Sequence, residues 1–127
     1  MKAFDAPFFS ITPAEAASVD PQQRMLLECV YTALENSGLS MDAVQGSQTG
    51  VYAGAFIWDY RDVLIKDVDA PMMYTGSGTI ASTLAGRVSW FYDFQGPAMS
   101  IDTACSSSMV ALHQAIVGLK AGDCDMV

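Results

Sequence analysis

The chain has 127 residues, 51% of them hydrophobic, which suffices for one modest core but not for two comfortable domains. Fourteen acidic against six basic side chains leave a net charge of −8, which repels phosphate backbones and anionic membrane surfaces and argues against nucleic acid or membrane as a partner. Cys29, Cys105 and Cys124 lack the spacing of a disulfide framework or a zinc site and fit a reducing cytoplasm, and no run approaches the ~18 apolar residues of a membrane span.

Residues 1–10 carry Lys2, Asp5 and Pro7, so they lack the uninterrupted apolar core of a signal peptide. After this aromatic entry the pattern predicts a helix. Asp20 can cap it, Pro21 suits its first position, Gln23 can complete a capping box, and Gly38 can end it. Leu27, Val30, Tyr31 and Leu34 fall on one stripe that faces inward, while Arg24, Glu28 and Glu35 reach water. Residues 49–56, TGVYAGAF, read as a buried strand. The segment up to Tyr74 has no clean period and reads as loop with a short helix. Residues 76–88 suggest one small-residue helix, FQGP at 94–97 a turn, and AMSIDT a further strand. From Ser106 a last helix follows, with Leu112, Ala115, Ile116 and Leu119 on one stripe, Lys120 in the last turn and Gly122 beyond it. Alternating strands and helices define an α/β layered domain.

The chemically informative place is the junction AMSIDTACSSSMVALHQA, where Cys105 sits at the turn between strand and helix. Ala104, Ser106, Ser107 and Ser108 leave its sulfur accessible, and the sharp turn follows the logic of a nucleophile elbow. Free N–H groups at the helix start favour an anion and supply an oxyanion donor. A helix end contributes only about 0.3–1 kcal/mol, too little to hold a thiol deprotonated by itself, so another group must help. His113, eight residues along the same helix, lies about 12 Å from Cys105 along the axis and is out of reach. It reads as a partly buried structural residue. Asp102 is a turn-stabilising residue, and Cys29 and Cys124 are inert. Gly76, Gly78 and Ala81 satisfy a loose dinucleotide fingerprint, but PMMYT before them is a poor strand, so close backbone packing is the better reading.

DTACSSS at 102–108, followed by MVALHQA, resembles the active-site signature of β-ketoacyl synthases. The resemblance extends through FDAPFFSITPAEAASVDPQQRMLLE, ALENSGL, GSQTGVYAG, DY at 59–60 and AGRVSWFYDFQGPAMSIDTACSSS, in the style of fungal multidomain polyketide synthases. It implies a thiolase-like fold, layered α/β/α/β/α, of which residues 1–127 hold most of the first half as a partial domain cut at both ends. It also implies a homodimer, with Cys105 carrying the acyl chain and its own N–H as one oxyanion donor. No cofactor is bound by this domain. Acyl and malonyl groups arrive on the phosphopantetheine of an acyl carrier protein, beside an acyltransferase domain, and the two catalytic histidines come from outside this sequence. A thiolase or chalcone synthase type lacks DPQQR and TACSSS together. A non-elongating ketosynthase-like module and, at greater distance, a dinucleotide-binding oxidoreductase compete with the elongating ketosynthase.

Overall fold

The computed structural model describes residues 4–66 and 72–127. Their order is α1 (Pro13–Ala16), α2 (Pro21–Ser37), α3 (Met41–Val44), β1 (Val51–Gly54), α4 (Tyr60–Lys66), α5 (Thr75–Thr79), α6 (Thr83–Tyr92), β2 (Ala98–Ile101) and α7 (Ser107–Ala121). Three-residue 3₁₀ turns precede α5 (Met72–Tyr74) and α7 (Ala104–Ser106). Strands β1 and β2 pair in parallel, with Val51 opposite Ala98 and Gly54 opposite Ile101. On the other edge of β1, Thr49 bridges Met126 in parallel, and the Gly50 N–H donates to the Met126 carbonyl at 2.7 Å.

The period of a strand sorts β1 between two faces. Ala53 packs with Leu84 and Ala85 of α6, and the Ser100 hydroxyl accepts from the Ala85 N–H at 3.2 Å, so α6 covers that face. Tyr52 and Gly54 point the opposite way, toward α7. Leu26 brings α2 onto the α6 side, where the larger core gathers Phe9, Val19, Leu27, Leu34, Val88, Tyr92 and Phe94. Within it the Tyr92 hydroxyl donates to the Leu27 carbonyl at 3.0 Å, satisfying a group whose burial would otherwise be costly. The layers are helix, sheet, helix, as the alternating sequence predicts.

Helix α2 begins and ends where the sequence places it. The Asp20 carboxylate accepts from the Gln22 N–H at 2.8 Å, and Gly38 takes the left-handed conformation, φ +75°, that lets its N–H cap the carbonyls of Leu34 and Glu35. Leu27 and Leu34 are buried, Val30 and Tyr31 half-buried, and Glu28 and Glu35 exposed, whereas Arg24 is half-buried instead of reaching freely into water. The capping box does not form. Gln23 is buried and its amide instead joins α2 to the α5–α6 region, donating to the Gly78 carbonyl at 2.9 Å and to the Thr83 hydroxyl at 2.8 Å while accepting from Arg87 Nε at 2.8 Å. Arg87 also donates to Glu15 at 2.8 Å, forming an ion pair.

That junction explains another departure. The single helix expected over 76–88 is two, because the Gly78 carbonyl is taken by the Asp20 N–H at 2.8 Å and by Gln23, leaving Ile80 extended at ψ 133°. Gly78 is buried against the backbone of Ser18 and Val19, a close approach that excludes a side chain. The strand expected over 49–56 is the shorter Val51–Gly54. In α7 only Ala115 of the expected stripe is buried: Leu112, Ile116 and Leu119 are exposed, and the helix buries Ser107, Ala111, Ala115 and Gly118. Small side chains let α7 lie close on β1, so its larger apolar residues face outward.

Candidate active site

Strand β2 ends at Ile101, and the chain turns through Asp102–Ser106 into α7. Local hydrogen bonds fix this turn. Asp102 Oδ1 accepts from the Ala104 N–H at 3.0 Å, the turn-stabilising role expected of it. Ser107 Oγ accepts from the Thr103 N–H at 2.9 Å and donates to the Ala104 carbonyl at 2.7 Å. The Ser106 hydroxyl donates to the Thr103 carbonyl at 2.8 Å. Ala104 is held in the left-handed region at φ +54°, a conformation costing a non-glycine residue about 1–3 kcal/mol. Cys105 follows it directly and is exposed. The geometry is that of a nucleophile elbow: a strained residue lifts the next side chain above the carboxyl end of a parallel strand, at the mouth of a helix.

The far side of the elbow is equally tight. Gly54, at the end of β1, sits against α7 so closely that a Cβ there would lie 2.6 Å from the Ser107 carbonyl carbon and 2.7 Å from the Ser108 nitrogen. Past the turn, a shallow groove of about 270 Å³ runs between β1 and α7, lined by Tyr52, Ser108, Ala111, Leu112 and Ala115. Burial, then neighbouring Cys124, holds the Tyr52 hydroxyl above its ordinary pKa, so it stays a neutral donor.

Of the residues singled out in the sequence, Asp102 and Cys105 come together at the elbow. His113 lies two turns along α7 and is exposed, not partly buried. The thiol expected to lie quietly in α2, Cys29, is exposed, whereas Cys124 is buried beside Gly50 and Gly118. Gly76 and Gly78 sit in α5 behind a 3₁₀ turn instead of a strand, so the dinucleotide reading has no βαβ frame. Sequence reasoning reads Ala104 and Ser107 only as small neighbours of the thiol, and misses the left-handed backbone of the one, the hydrogen bonds of the other and the close approach of Gly54. Only the string of small residues around Cys105 hints at them.

Fold and elbow together define an α/β protein with a cysteine displayed at the end of a parallel strand. The Beta-ketoacyl synthase, N-terminal domain family model matches residues 1–127, and the chain belongs to that family. It is 52% identical over 126 residues to the highly reducing polyketide synthase Preu1 of Preussia isomera, covering 99% of this chain and 5% of that one. It is 53% identical over 125 residues to the reducing polyketide synthase grgA of a Penicillium species, again spanning 5% of the relative. Among solved structures, the oxazolomycin ketosynthase domain OzmH KS7 of Streptomyces albus JA3453 superposes with a TM-score of 0.81 at 38% identity, over 95% of this chain and 21% of that one. The ketosynthase from module 6 of the bacillaene synthase of Bacillus subtilis 168 gives 0.82 at 35% identity, over 95% and 20%. The fold is therefore thiolase-like, and the chain corresponds to its N-terminal part. None of these comparisons supports an oxidoreductase. No helix among the described residues is long and apolar enough to cross a membrane.

Proposed function

We propose that this chain supplies the nucleophile of a polyketide synthase ketosynthase, with Cys105 as the acyl-accepting thiol. The observation that carries the reading is the elbow, in which Ala104 at φ +54° presents an exposed Cys105 at the start of α7. The Cys105 thiolate attacks the thioester carbonyl of an acyl group on carrier-protein phosphopantetheine, and the pantetheine sulfur leaves with a proton. A malonyl thioester then loses CO2. Its C2 carbanion attacks the Cys105 thioester, forming a carbon–carbon bond and releasing the thiolate. Positive charge at the helix end and the Cys105 N–H favour the oxyanion formed in each addition.

The rest of the machinery comes from a longer protein, in keeping with relatives of which this chain spans 5%. Two histidines, a second oxyanion donor, carrier and acyltransferase domains, a second copy of the domain and a cytoplasmic setting complete the proposal. Residues 1–127 are a partial domain within it. Exposed Met109, Leu112, Ile116 and Leu119 on α7 are the surface that the remainder of the ketosynthase covers, since such a patch exceeds what an isolated surface helix ordinarily shows.

The test is acyl loading. Incubation of the full-length protein with a radiolabelled acyl thioester is expected to label the peptide containing Cys105, and Cys105→Ala to abolish both labelling and ketoacyl product. Undiminished elongation by Cys105→Ala overturns the assignment.

A further inference from the structure

Helix α6 starts without a cap of its own. Ser82, at its N-terminus, makes no capping hydrogen bond through its side chain, so the N–H groups of the first turn need partners from elsewhere. Ala85 lies in that turn at 0% exposure, where solvent does not reach. Its N–H donates to the Ser100 hydroxyl of β2 at 3.2 Å, fifteen residues along the chain. Ser100 pairs in register with Ala53, which packs on Leu84 and Ala85, so the hydroxyl rises from the face of the sheet that α6 covers.

The bond grips β2 where the strand runs into the elbow. Ile101, the next residue, has its carbonyl held from the β1 side by the Ala55 N–H at 3.1 Å. Backbone bonds thus fix the end of β2 within the plane of the sheet, whereas Ser100 fixes it against the helix layer. Among the described residues, every other side-chain hydrogen bond of residues 98–107 stays within that segment, so Ser100 alone ties it by a side chain to a separate element.

We propose that Ser100 is a positioning residue for Cys105: by capping α6 it sets the height of the β2 end above that helix, and with it the place of the turn that carries the thiol. The inference rests on the reading of Cys105 as the nucleophile. Ser100 acts through the backbone of residues 101–104 and needs no contact with the thiol. Without the hydroxyl, the buried Ala85 N–H loses its partner and the strand end shifts on α6, carrying the elbow with it. A misplacement of about 1 Å costs up to about a hundredfold in a reaction that depends on orientation.

Ser100→Thr and Ser100→Val introduce side chains of one shape that differ in the hydroxyl, so they separate the hydrogen bond from packing. The full-length native protein and both variants are loaded with a radiolabelled acyl thioester over a range of donor concentrations, with thermal melts in parallel. Ser100→Thr is expected to load Cys105 at close to the native rate. Ser100→Val is expected to lose about fivefold or more in the rate at saturating donor, with the half-saturating concentration unchanged, because the donor's own contacts are not altered. Ser100→Ala, which removes the hydroxyl and adds nothing, is expected to behave like Ser100→Val and replaces it in the comparison if the larger side chain prevents folding. Val44→Ala, which opens a cavity in the larger core, is expected to lower the melting temperature at least as far while loading at the native rate, which separates positioning from loss of stability. Equal rates with and without the hydroxyl overturn the proposal and leave Cys105 as the nucleophile, as does a fall in Val44→Ala that matches the one in Ser100→Val. Absence of label on Cys105 of the native protein overturns the nucleophile reading and this inference with it.

Discussion

Gly54 and Ser107 meet backbone to backbone: a Cβ on the glycine would lie 2.6 Å from the serine carbonyl carbon, where no real side chain fits. The end of β1 is thereby pressed onto the first turn of α7, and the turn that carries Cys105 is clamped between β1 and β2. Gly54→Ala must push helix from sheet, an overpacking change of about 1–3 kcal/mol, and is expected to lower both the melting temperature and the rate of acyl loading. Gly86, inside α6 with open space for 4 Å around the point where a Cβ would stand, is the control. Gly86→Ala is expected to stabilise by about 0.5–1 kcal/mol through helix propensity, with loading unchanged. Thermal melts and loading assays on both variants separate the clamp from glycine chemistry in general.

The Ser107 hydroxyl makes two of the hydrogen bonds that hold Ala104 in its left-handed conformation. Ser107→Ala leaves the Thr103 N–H and the Ala104 carbonyl without those partners, at a cost of about 1–3 kcal/mol, and lets the elbow relax. Ala104→Gly acts oppositely on stability, removing the left-handed penalty of about 1–3 kcal/mol. Both are expected to slow loading of Cys105, the serine variant with a lower melting temperature and the glycine variant without one. A Ser107→Ala protein that loads at the native rate would show that Cys105 needs no such support.

How far these relationships were legible depends on their range. The ends of α2 and α7 were readable because caps are local: Asp20, Pro21, Gly38 and Gly122 act within one turn of themselves. Cys105 was readable because a strand, a run of small residues and a helix are contiguous around it. The orientation of α7 was not, since Ala115 makes a better apolar stripe with Leu112, Ile116 and Leu119 than with Ala111 and Gly118 until the closeness of β1 is known. Nor was the break between α5 and α6. It depends on Asp20 and Gln23 reaching Gly78, more than fifty residues away, with distances of 2.8 and 2.9 Å. Gln23 looked like a capping partner because its local option was visible and its distant ones were not.

Tyr92 gives the fold a signature in alkali. Burial, then the nearby Tyr31, pushes its pKa up to about 12 from an ordinary 10.0, and its hydroxyl donates to the Leu27 carbonyl. The folded state thus holds this proton more tightly than the unfolded chain. Its contribution is fully present below about pH 10, declines as the unfolded tyrosine ionises, and is gone above about pH 12, where the native hydroxyl ionises too. Denaturant midpoints measured from pH 8 to 12 are expected to fall across that window. Tyr92→Phe is expected to flatten the fall while lowering stability at pH 8 by about 1 kcal/mol for the lost hydrogen bond. An equally steep decline in the phenylalanine variant would assign the alkaline loss to other groups, such as Tyr52, whose pKa is also raised.

The three thiols differ in ways that a single labelling experiment can rank. Cys124 is buried at 3% exposure and packs beside Gly50 and Gly118, so iodoacetamide is expected to reach it only after unfolding. Cys29 is exposed on α2, so accessibility alone does not distinguish it from Cys105. What distinguishes them is position: Cys29 lies within the body of a 17-residue helix, whereas Cys105 lies on the elbow turn just before another, directly after the strained Ala104. In the full-length protein at neutral pH, Cys105 is therefore expected to be alkylated first, Cys29 more slowly, and Cys124 last. Prior loading with an acyl thioester is expected to protect Cys105 alone. Cys29→Ala, at an exposed position, is expected to shift stability by no more than about 0.5 kcal/mol and to leave loading intact. Peptide mass mapping over a time course decides the order, and alkylation of Cys29 ahead of Cys105, with no protection of Cys105 by the acyl donor, would remove the elbow as the source of reactivity.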